Sequence, residues 1–97
     1  MMIFEWYSEK EHQNVEKHGL NLDTVKEVFD DPFRIVQYDK DHSGLEDRWQ
    51  TLGMAGGVLF VVYTERGEKI RIITAREATS NERKIYYGTG KGYWFIP

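Results

Sequence analysis

The sequence predicts a single α+β domain, in which helices and an antiparallel sheet come from separate stretches of the chain. With 97 residues and a mass of 11.5 kDa, the chain is long enough for one domain only. Apolar side chains of residues 22–29 recur at helical spacing, whereas from Arg34 onward they follow the alternation of strands. Short glycine-containing connections at 53–57 and 65–68 favour antiparallel hairpins.

A strand and a helix are predicted at the start of the chain. Residues 3–7 are rich in strand-forming side chains, and Ser8 with Glu11 three positions later has the spacing of a capping box. Gly19 predicts the end of this helix at about His18. The helix has little apolar surface, and the spacing of four residues places a polar stripe along one side: Lys10, Asn14, Lys17 and His18.

A second helix and four strands follow. Apolar spacing predicts a core helix from Leu22 to Phe29, with Asn21 as its N-cap and Pro32 just beyond its end. The pattern then changes to that of strands, which we predict at 33–38, 46–52, 58–64 and 69–75. Because short loops join the later strands, we expect consecutive strands to pair antiparallel.

The chain closes with a third helix and a short tail. Thr79 with Glu82 repeats the capping-box spacing and begins a helix that runs to Gly88. Residues 89–97 mix glycines with aromatic side chains, and we expect them either to dock on the domain or to fray. The predicted order is therefore β-α-α-β-β-β-β-α, in one domain that spans residues 1–97.

Composition excludes several classes of protein. The chain has no cysteine, which excludes a disulfide framework and a thiolate metal site and fits a cytoplasmic location. Residues 1–7 lack the features of a signal peptide. The longest apolar run, 58–63, is too short to cross a membrane as a helix, so we expect no membrane contact.

Charge is unevenly distributed along the chain. The net charge of −3 argues by itself against a partner bound through phosphate charge. Residues 1–33, however, hold eight acidic side chains and three lysines, whereas residues 66–97 hold seven basic and three acidic side chains. The two ends of the chain are therefore expected to present surfaces of opposite sign.

Three motifs occur in order along the chain: Lys17-His18-Gly19, Glu46-Asp47-Arg48 and Arg71-Ile72-Ile73-Thr74-Ala75-Arg76. With Phe4-Glu5-Trp6 ahead of them, this set, over residues 3–87, resembles the BrnT family of type II toxins. The family usually has an Asp where this chain has Tyr7, and the tail at 89–97 lies outside the family pattern.

The resemblance implies a RelE-like fold and a metal-independent endoribonuclease that arrests translation. It also implies neutralisation by a BrnA antitoxin, which binds DNA and forms a heterotetramer with the toxin. This chain would then contact DNA only through its partner. No cofactor and no metal ion are implied.

Cleavage of RNA without a metal requires a base for the 2′-hydroxyl proton, cations for the charged phosphorane and an acid for the leaving oxygen. His18 is the candidate for proton transfer because imidazole titrates near neutral pH. Lys17 beside it is a candidate for stabilising the transition state. The alternative for His18 is a residue that only caps the end of the first helix.

The other catalytic candidates lie on predicted strands. Glu46 and Arg48 are two residues apart, so they project from one face and can act as an ion pair or as a base beside a phosphate clamp. Arg76 is a second clamp. Alternation places Arg71 on one face and Arg76 on the other, unless the strand bulges near Ala75.

Three further basic side chains are candidates for substrate binding: Lys10, Arg71 and Arg83. For Arg71 a solvated strand charge is an equal alternative. Glu82 is interpreted as the capping residue of the third helix.

Three other sequence patterns give no support for a functional site. Residues 88–92 lack the spacing of a phosphate loop. His12 and His42, like His18, have no zinc-ligand spacing, and surface positions explain them. Strand aromatics are expected in the core rather than stacked on bases: Trp49, Phe60 and Tyr63.

Two further hypotheses start from the acidic N-terminal third, which is unusual for a protein that cleaves RNA. One is a non-catalytic module that docks a basic partner segment on this acidic surface. The other joins the two functions, with the acidic surface contacting the antitoxin and the basic C-terminal segments contacting RNA.

Overall fold

The computed structural model describes residues 2–88, and eight elements follow one another in the predicted order. They are β1 (Ile3–Trp6), α1 (Glu9–Lys17), α2 (Leu22–Val28), β2 (Ile35–Tyr38), β3 (Arg48–Met54), β4 (Val58–Arg66), β5 (Lys69–Glu77) and α3 (Ser80–Tyr86). The expectation for the tail at 89–97 lies outside the described residues. Within residues 2–88, no helix combines the length and the apolar character needed to cross a membrane.

Helix ends follow the local signals in the sequence. The Ser8 hydroxyl accepts a hydrogen bond from the Glu11 N–H at 3.3 Å, and Gly19, at φ 85°, follows the end of α1. At α3, the side chains of Thr79 and Glu82 each accept a hydrogen bond from the other's N–H, which completes the predicted capping box. These short-range bonds satisfy backbone donors that the first turn of a helix leaves unpaired.

The five strands form one sheet in the order β1-β5-β4-β3-β2. Strands β2 to β5 pair antiparallel with their neighbours in sequence, as predicted. Strand β1 instead pairs parallel with β5, from Ile3 opposite Lys69 to Trp6 opposite Ile72. The expected antiparallel sheet is therefore mixed, because the partner of β1 lies at the far end of the chain and no local pattern identifies it.

The two faces of the sheet differ in their cover. Helices α1 and α2 pack on one face, where the main core contains Val15, Val25, Val28, Leu59, Val61, Tyr63, Ile70 and Ile72. Helix α3 covers one end of the opposite face through a smaller cluster around Leu52 and Ala78. We call the rest of that opposite face the open face; its side chains include Glu5, Arg48, Gln50, Arg71, Thr74 and Arg76.

A β-bulge decides which side chains of β5 reach the open face. Val62 of β4 pairs with Thr74, whereas the next residue pairs with Ile72, so Ile73 is an extra residue in β5. An extra residue reverses the alternation beyond it. Arg76 therefore lies on the same face as Arg71, which is the alternative that the sequence left open for a bulge near Ala75.

Two contacts fix the helices against the sheet. A Cβ at Gly53 would lie 2.6 Å from Cγ1 of Val28, so only glycine lets α2 approach β3 this closely. The Asp31 carboxylate accepts hydrogen bonds from the Met54 N–H, at 2.7 Å, and from the Tyr86 hydroxyl of α3. Burial alone would raise the pKa of Asp31, but these hydrogen bonds hold it below its ordinary value.

Candidate active site on the open face

An open pocket of about 400 Å³ lies at the end of the open face where β3 begins. Its lining includes Tyr7, which follows β1, Arg66 at the end of β4, and Arg48 with His42 and Glu46 from β3 and the loop before it. We call it the Arg48 pocket. Two strands, the residue that follows β1 and one loop thus bring together side chains that are distant in the sequence.

Arg48 has few partners in this pocket. Its Nη2 lies 3.7 Å from Oε1 of Glu46, so the predicted pair is present but beyond hydrogen-bond distance. Its Cζ lies 5.3 Å from the centroid of the Tyr7 ring, in cation–π range. Within residues 2–88 the Arg48 guanidinium donates no hydrogen bond, which leaves its fork of donors available to an anion.

The loop 39–47, which carries Glu46 and His42, is held by partly buried hydrogen bonds. The side chain of Asp39 is 6% exposed, and its Oδ1 lies 2.9 Å from Nδ1 of His42. The Ser43 hydroxyl accepts the Arg48 N–H at 2.9 Å, and the Thr64 hydroxyl donates to the Asp47 carbonyl at 2.7 Å. The loop therefore has a fixed course beside β3 and β4.

The electrostatics of Asp39 follow from these contacts. Burial by itself would raise its pKa, but hydrogen bonds from His42 and Gln50 lower the pKa of Asp39 below its ordinary value. Asp39 is accordingly a carboxylate at neutral pH.

A second pocket, of about 220 Å³, continues the first along the open face. It shares His42 and Arg48 with the first pocket, and its other lining residues include Gln50, Phe60, Val62, Ile73 and Thr74. The two pockets form one groove that runs from β3 toward β5. Along it, Gln37 donates to the Gln50 side chain at 2.8 Å.

Arg76 lies farther along β5 and is tightly bound. Its two terminal nitrogens donate to the two carboxylate oxygens of Glu82 at 2.7 and 3.0 Å, and its Cζ lies 4.1 Å from the centroid of the Phe60 ring. Burial would raise the pKa of Glu82, but the bonds from Arg76 and Thr79 lower it. Glu82 therefore caps α3 and also ties that helix to β5.

His18 neighbours Arg76 rather than Arg48. Both side chains line a small pocket of about 180 Å³ with Asn14, Thr74 and Ala75, at the part of β5 that extends beyond β1. We call this part, residues 74–77, the β5 edge. Thr74 also lines the groove of the open face, so the two regions adjoin.

Helix α1 does not lie beside the Arg48 pocket. It packs on the covered face through Val15, and Lys10 and Lys17 are exposed on it. Of the polar stripe predicted along this helix, Asn14 and His18 reach the β5 edge, where they line the small pocket with Arg76.

The remaining basic candidates already have protein partners. Nε of Arg71 donates to Oε2 of Glu5 at 2.6 Å, and Lys69 lies 3.6 Å from the same carboxylate. Arg83 donates to the Ala78 carbonyl at 2.8 Å. Although burial opposes it, the pairing with Arg71 and Lys69 lowers the pKa of Glu5.

The strand aromatics divide between core and site. Tyr63 is 3% exposed and belongs to the main core, and Trp49 packs against it, as expected. Phe60 is partly buried: it packs against the smaller cluster around Leu52 and Ala78, and it also lines the groove beneath Arg76. Among residues 2–88, no three imidazole, carboxylate or thiol side chains converge into a metal site.

His42 is the main feature that the sequence did not single out as functional. A histidine without ligand spacing is ordinary on a protein surface, and its pocket is assembled from strands that are remote in sequence. The one local signal is Asp39 three residues earlier, a spacing that allows the observed side-chain hydrogen bond. Tyr7, Gln50 and Arg66 were not candidates either.

Comparison with known proteins gives one family. A family model described as "Ribonuclease toxin, BrnT, of type II toxin-antitoxin system" matches residues 6–82. This range covers most of the chain and includes the Arg48 pocket. No curated protein matches the chain.

Proposed function

We propose that this chain, which belongs to the BrnT family of type II toxins, cleaves RNA in the Arg48 pocket of the open face. The family description supplies ribonuclease activity in general, and the location is our inference. The observation that carries it is Arg48, whose guanidinium lies beside Glu46 and Tyr7 with no hydrogen bond to another of the described residues.

In this proposal Arg48 holds the scissile phosphate and stabilises the charge that develops on it. Glu46, 3.7 Å away, orients the guanidinium or accepts a proton. Arg66 adds a second positive charge to the same pocket. These groups supply the electrostatic part of cleavage from side chains alone, which is the basis for proposing a metal-independent reaction.

The RNA strand is proposed to continue along the groove to the β5 edge. There His18, Lys17 and Arg76 contact its backbone. The sequence suggested His18 for proton transfer, but it lies outside the Arg48 pocket, so it is proposed here as a phosphate contact. The outer substrate contacts are proposed to come from Lys10, Arg71 and Arg83. For Arg71 and Arg76 this requires exchange of their present carboxylate partners for phosphate.

The partner of a type II toxin is an antitoxin. We propose a BrnA-like, DNA-binding antitoxin that forms a heterotetramer with this chain, so that this chain contacts DNA only through it. Its contact surface is the acidic N-terminal third, which leaves the basic side chains of β4 and β5 to RNA. Inhibition of translation, as in RelE-like toxins, is the proposed consequence.

The test is cleavage of end-labelled RNA by the purified protein, with and without EDTA. We expect cleavage that the chelator leaves unchanged, and growth arrest on expression that an antitoxin relieves. Loss of cleavage in EDTA would contradict metal independence. Intact RNA in the presence of folded protein, verified by circular dichroism, would favour the non-catalytic module that docks a basic partner.

A further inference from the structure

We propose that His42 is the general base of this ribonuclease site and that the buried Asp39 carboxylate is its positioning residue. The proposal rests on the ribonuclease function proposed above and names the group that moves the proton.

A hydrogen bond joins the side chains of Asp39 and His42. Oδ1 of Asp39 lies 2.9 Å from Nδ1 of His42 and 3.3 Å from the His42 backbone nitrogen. A carboxylate only accepts hydrogen bonds, so Nδ1 carries the hydrogen of the neutral ring. The lone pair of that ring is then on Nε2, where it can accept a proton.

The two side chains differ in their exposure to solvent. The Asp39 side chain is 6% exposed, whereas the His42 side chain is 68% exposed. The carboxylate is thus fixed inside the fold, and the imidazole that it holds is open to a ligand. This is the arrangement that orients a base in known acyl-transfer sites, where a buried carboxylate fixes the tautomer of a histidine.

The imidazole ring of His42 lies in the groove with Arg48. His42 and Arg48 together line both pockets of the groove, so a phosphate held by Arg48 lies beside the imidazole. The charged groups that line these pockets with His42 are two carboxylates and two guanidinium groups, from Asp39, Glu46, Arg48 and Arg66. The proposed base, His42, and the phosphate-binding cation, Arg48, therefore line the same groove, and cleavage of RNA needs both groups at the phosphate.

The other two histidines lack this combination. The ring of His12 stacks on Trp6, and its two nitrogens face Glu9 at 3.4 Å and Glu16 at 3.1 Å. His18 is exposed at the end of α1 and lines pockets with Arg76. Among the three histidines, only His42 is held by a buried carboxylate beside Arg48.

The proposed reaction is an attack of the ribose 2′-oxygen on the neighbouring phosphorus. Nε2 of His42 takes the proton of the ribose 2′-hydroxyl, the 2′-oxygen bonds to phosphorus, and the bond from phosphorus to the 5′-oxygen breaks. The 5′-oxygen leaves with a proton from solvent water, and the imidazolium returns its proton to solvent. The products are a 2′,3′-cyclic phosphate and a 5′-hydroxyl end.

The test compares single-turnover cleavage rates from about pH 5 to about pH 9, the range in which imidazole titrates. We expect His42→Ala and His42→Gln to lose at least about 100-fold in rate and to lose the acidic limb of the profile. The matched control His12→Ala, whose ring lines neither pocket of the groove, is expected to stay within about threefold of the wild type. Circular dichroism and RNA affinity verify that the variants fold and bind.

Asp39→Asn separates positioning from packing. We expect it to lower the rate and to move the acidic limb of the pH profile at unchanged RNA affinity, because the held tautomer is lost. If both His42 variants cleave RNA at the wild-type rate and with the wild-type pH profile, the proposal is overturned while the ribonuclease function stands. A folded wild-type protein that leaves RNA intact would overturn both, and an unchanged profile in Asp39→Asn would overturn the positioning role.

Discussion

Arg48 and Arg76 lie on the same face of one sheet, yet their guanidinium groups have different partners. Arg76 donates to both carboxylate oxygens of Glu82 and lies over the Phe60 ring. Arg48 has only a 3.7 Å ion pair with Glu46 and a cation–π contact, and it donates no side-chain hydrogen bond within residues 2–88. A guanidinium whose donors are used must release them before it binds phosphate.

The two regions also use their carboxylates differently. Glu82 neutralises Arg76 and joins α3 to β5, so it stabilises the fold. Among residues 2–88, the Asp39 carboxylate forms no ion pair with an arginine; it holds His42 and the loop beside Arg48. At the β5 edge a carboxylate therefore joins two elements of the fold. In the Arg48 pocket a carboxylate instead holds an imidazole and leaves the Arg48 guanidinium available.

The largest expected effect comes from Arg48. Arg48→Ala should lower the initial rate of RNA cleavage by about 10²–10³-fold, because the phosphate loses its main positive partner. Arg48→Lys should recover only part of the rate, since an ammonium lacks the two-pronged geometry. Lys26→Ala, on the far side of the domain, is the matched charge control. An Arg48→Ala rate above about a tenth of the wild-type rate would place the phosphate elsewhere.

Arg76 should matter less for cleavage and more for stability. We expect Arg76→Ala to lower the rate by less than about tenfold and the free energy of unfolding by about 0.5–1 kcal/mol, as for other partly exposed ion pairs. Glu82→Ala should cost about 1–2 kcal/mol, because it also removes a cap. Urea unfolding with a double-mutant cycle measures the pair. Loss of cleavage at unchanged stability in Arg76→Ala would restore the catalytic role that the sequence suggested.

Tyr7 offers a smaller test of the Arg48 pocket. Tyr7→Ala should lower the cleavage rate about two- to fivefold, because an exposed cation–π contact contributes about 0.5–1 kcal/mol to placing Arg48. Tyr7→Phe keeps the ring and should keep the rate. Equal losses in the two variants would assign the effect to the hydroxyl group instead.

The smallest expected effect is on stability in acid. The pKa values of Asp39 and Glu82 are lowered in the folded protein from ordinary values of 3.8 and 4.5. The unfolded chain therefore binds protons first as the pH falls, so the stability that these carboxylates provide is complete above those values and is lost below them. Urea unfolding at neutral and acidic pH measures this loss. Asp39→Asn should reduce the pH dependence, and an unchanged dependence would contradict the role of Asp39.

Secondary structure and caps could be predicted because their causes are local. Ser8 and Thr79 begin helices through bonds to residues three positions away, and Gly19 follows the end of a helix within one turn. The predicted contact between Glu46 and Arg48 is present because the two residues are close in sequence, although Glu46 lies in the loop before β3.

The site could be predicted only in part. The sequence singled out Glu46 and Arg48, but it joined them to His18, which lies at the β5 edge. It treated His42 as an ordinary surface residue, because the catalytic role proposed for His42 depends on the burial of Asp39 and on Arg48 beside it. Burial and neighbours across a sheet are properties that alternation alone does not report.

By itself, the sequence determined the order of the elements, the composition of the core and the family resemblance, since each depends on residue types and short spacings. Only the tertiary structure decided that β1 pairs parallel with β5 and that the extra Ile73 turns Arg76 to the open face. It also decided which arginine keeps its donors available. Pairings between distant strands set these features, and the free energy of such pairings depends on the whole fold rather than on any one segment.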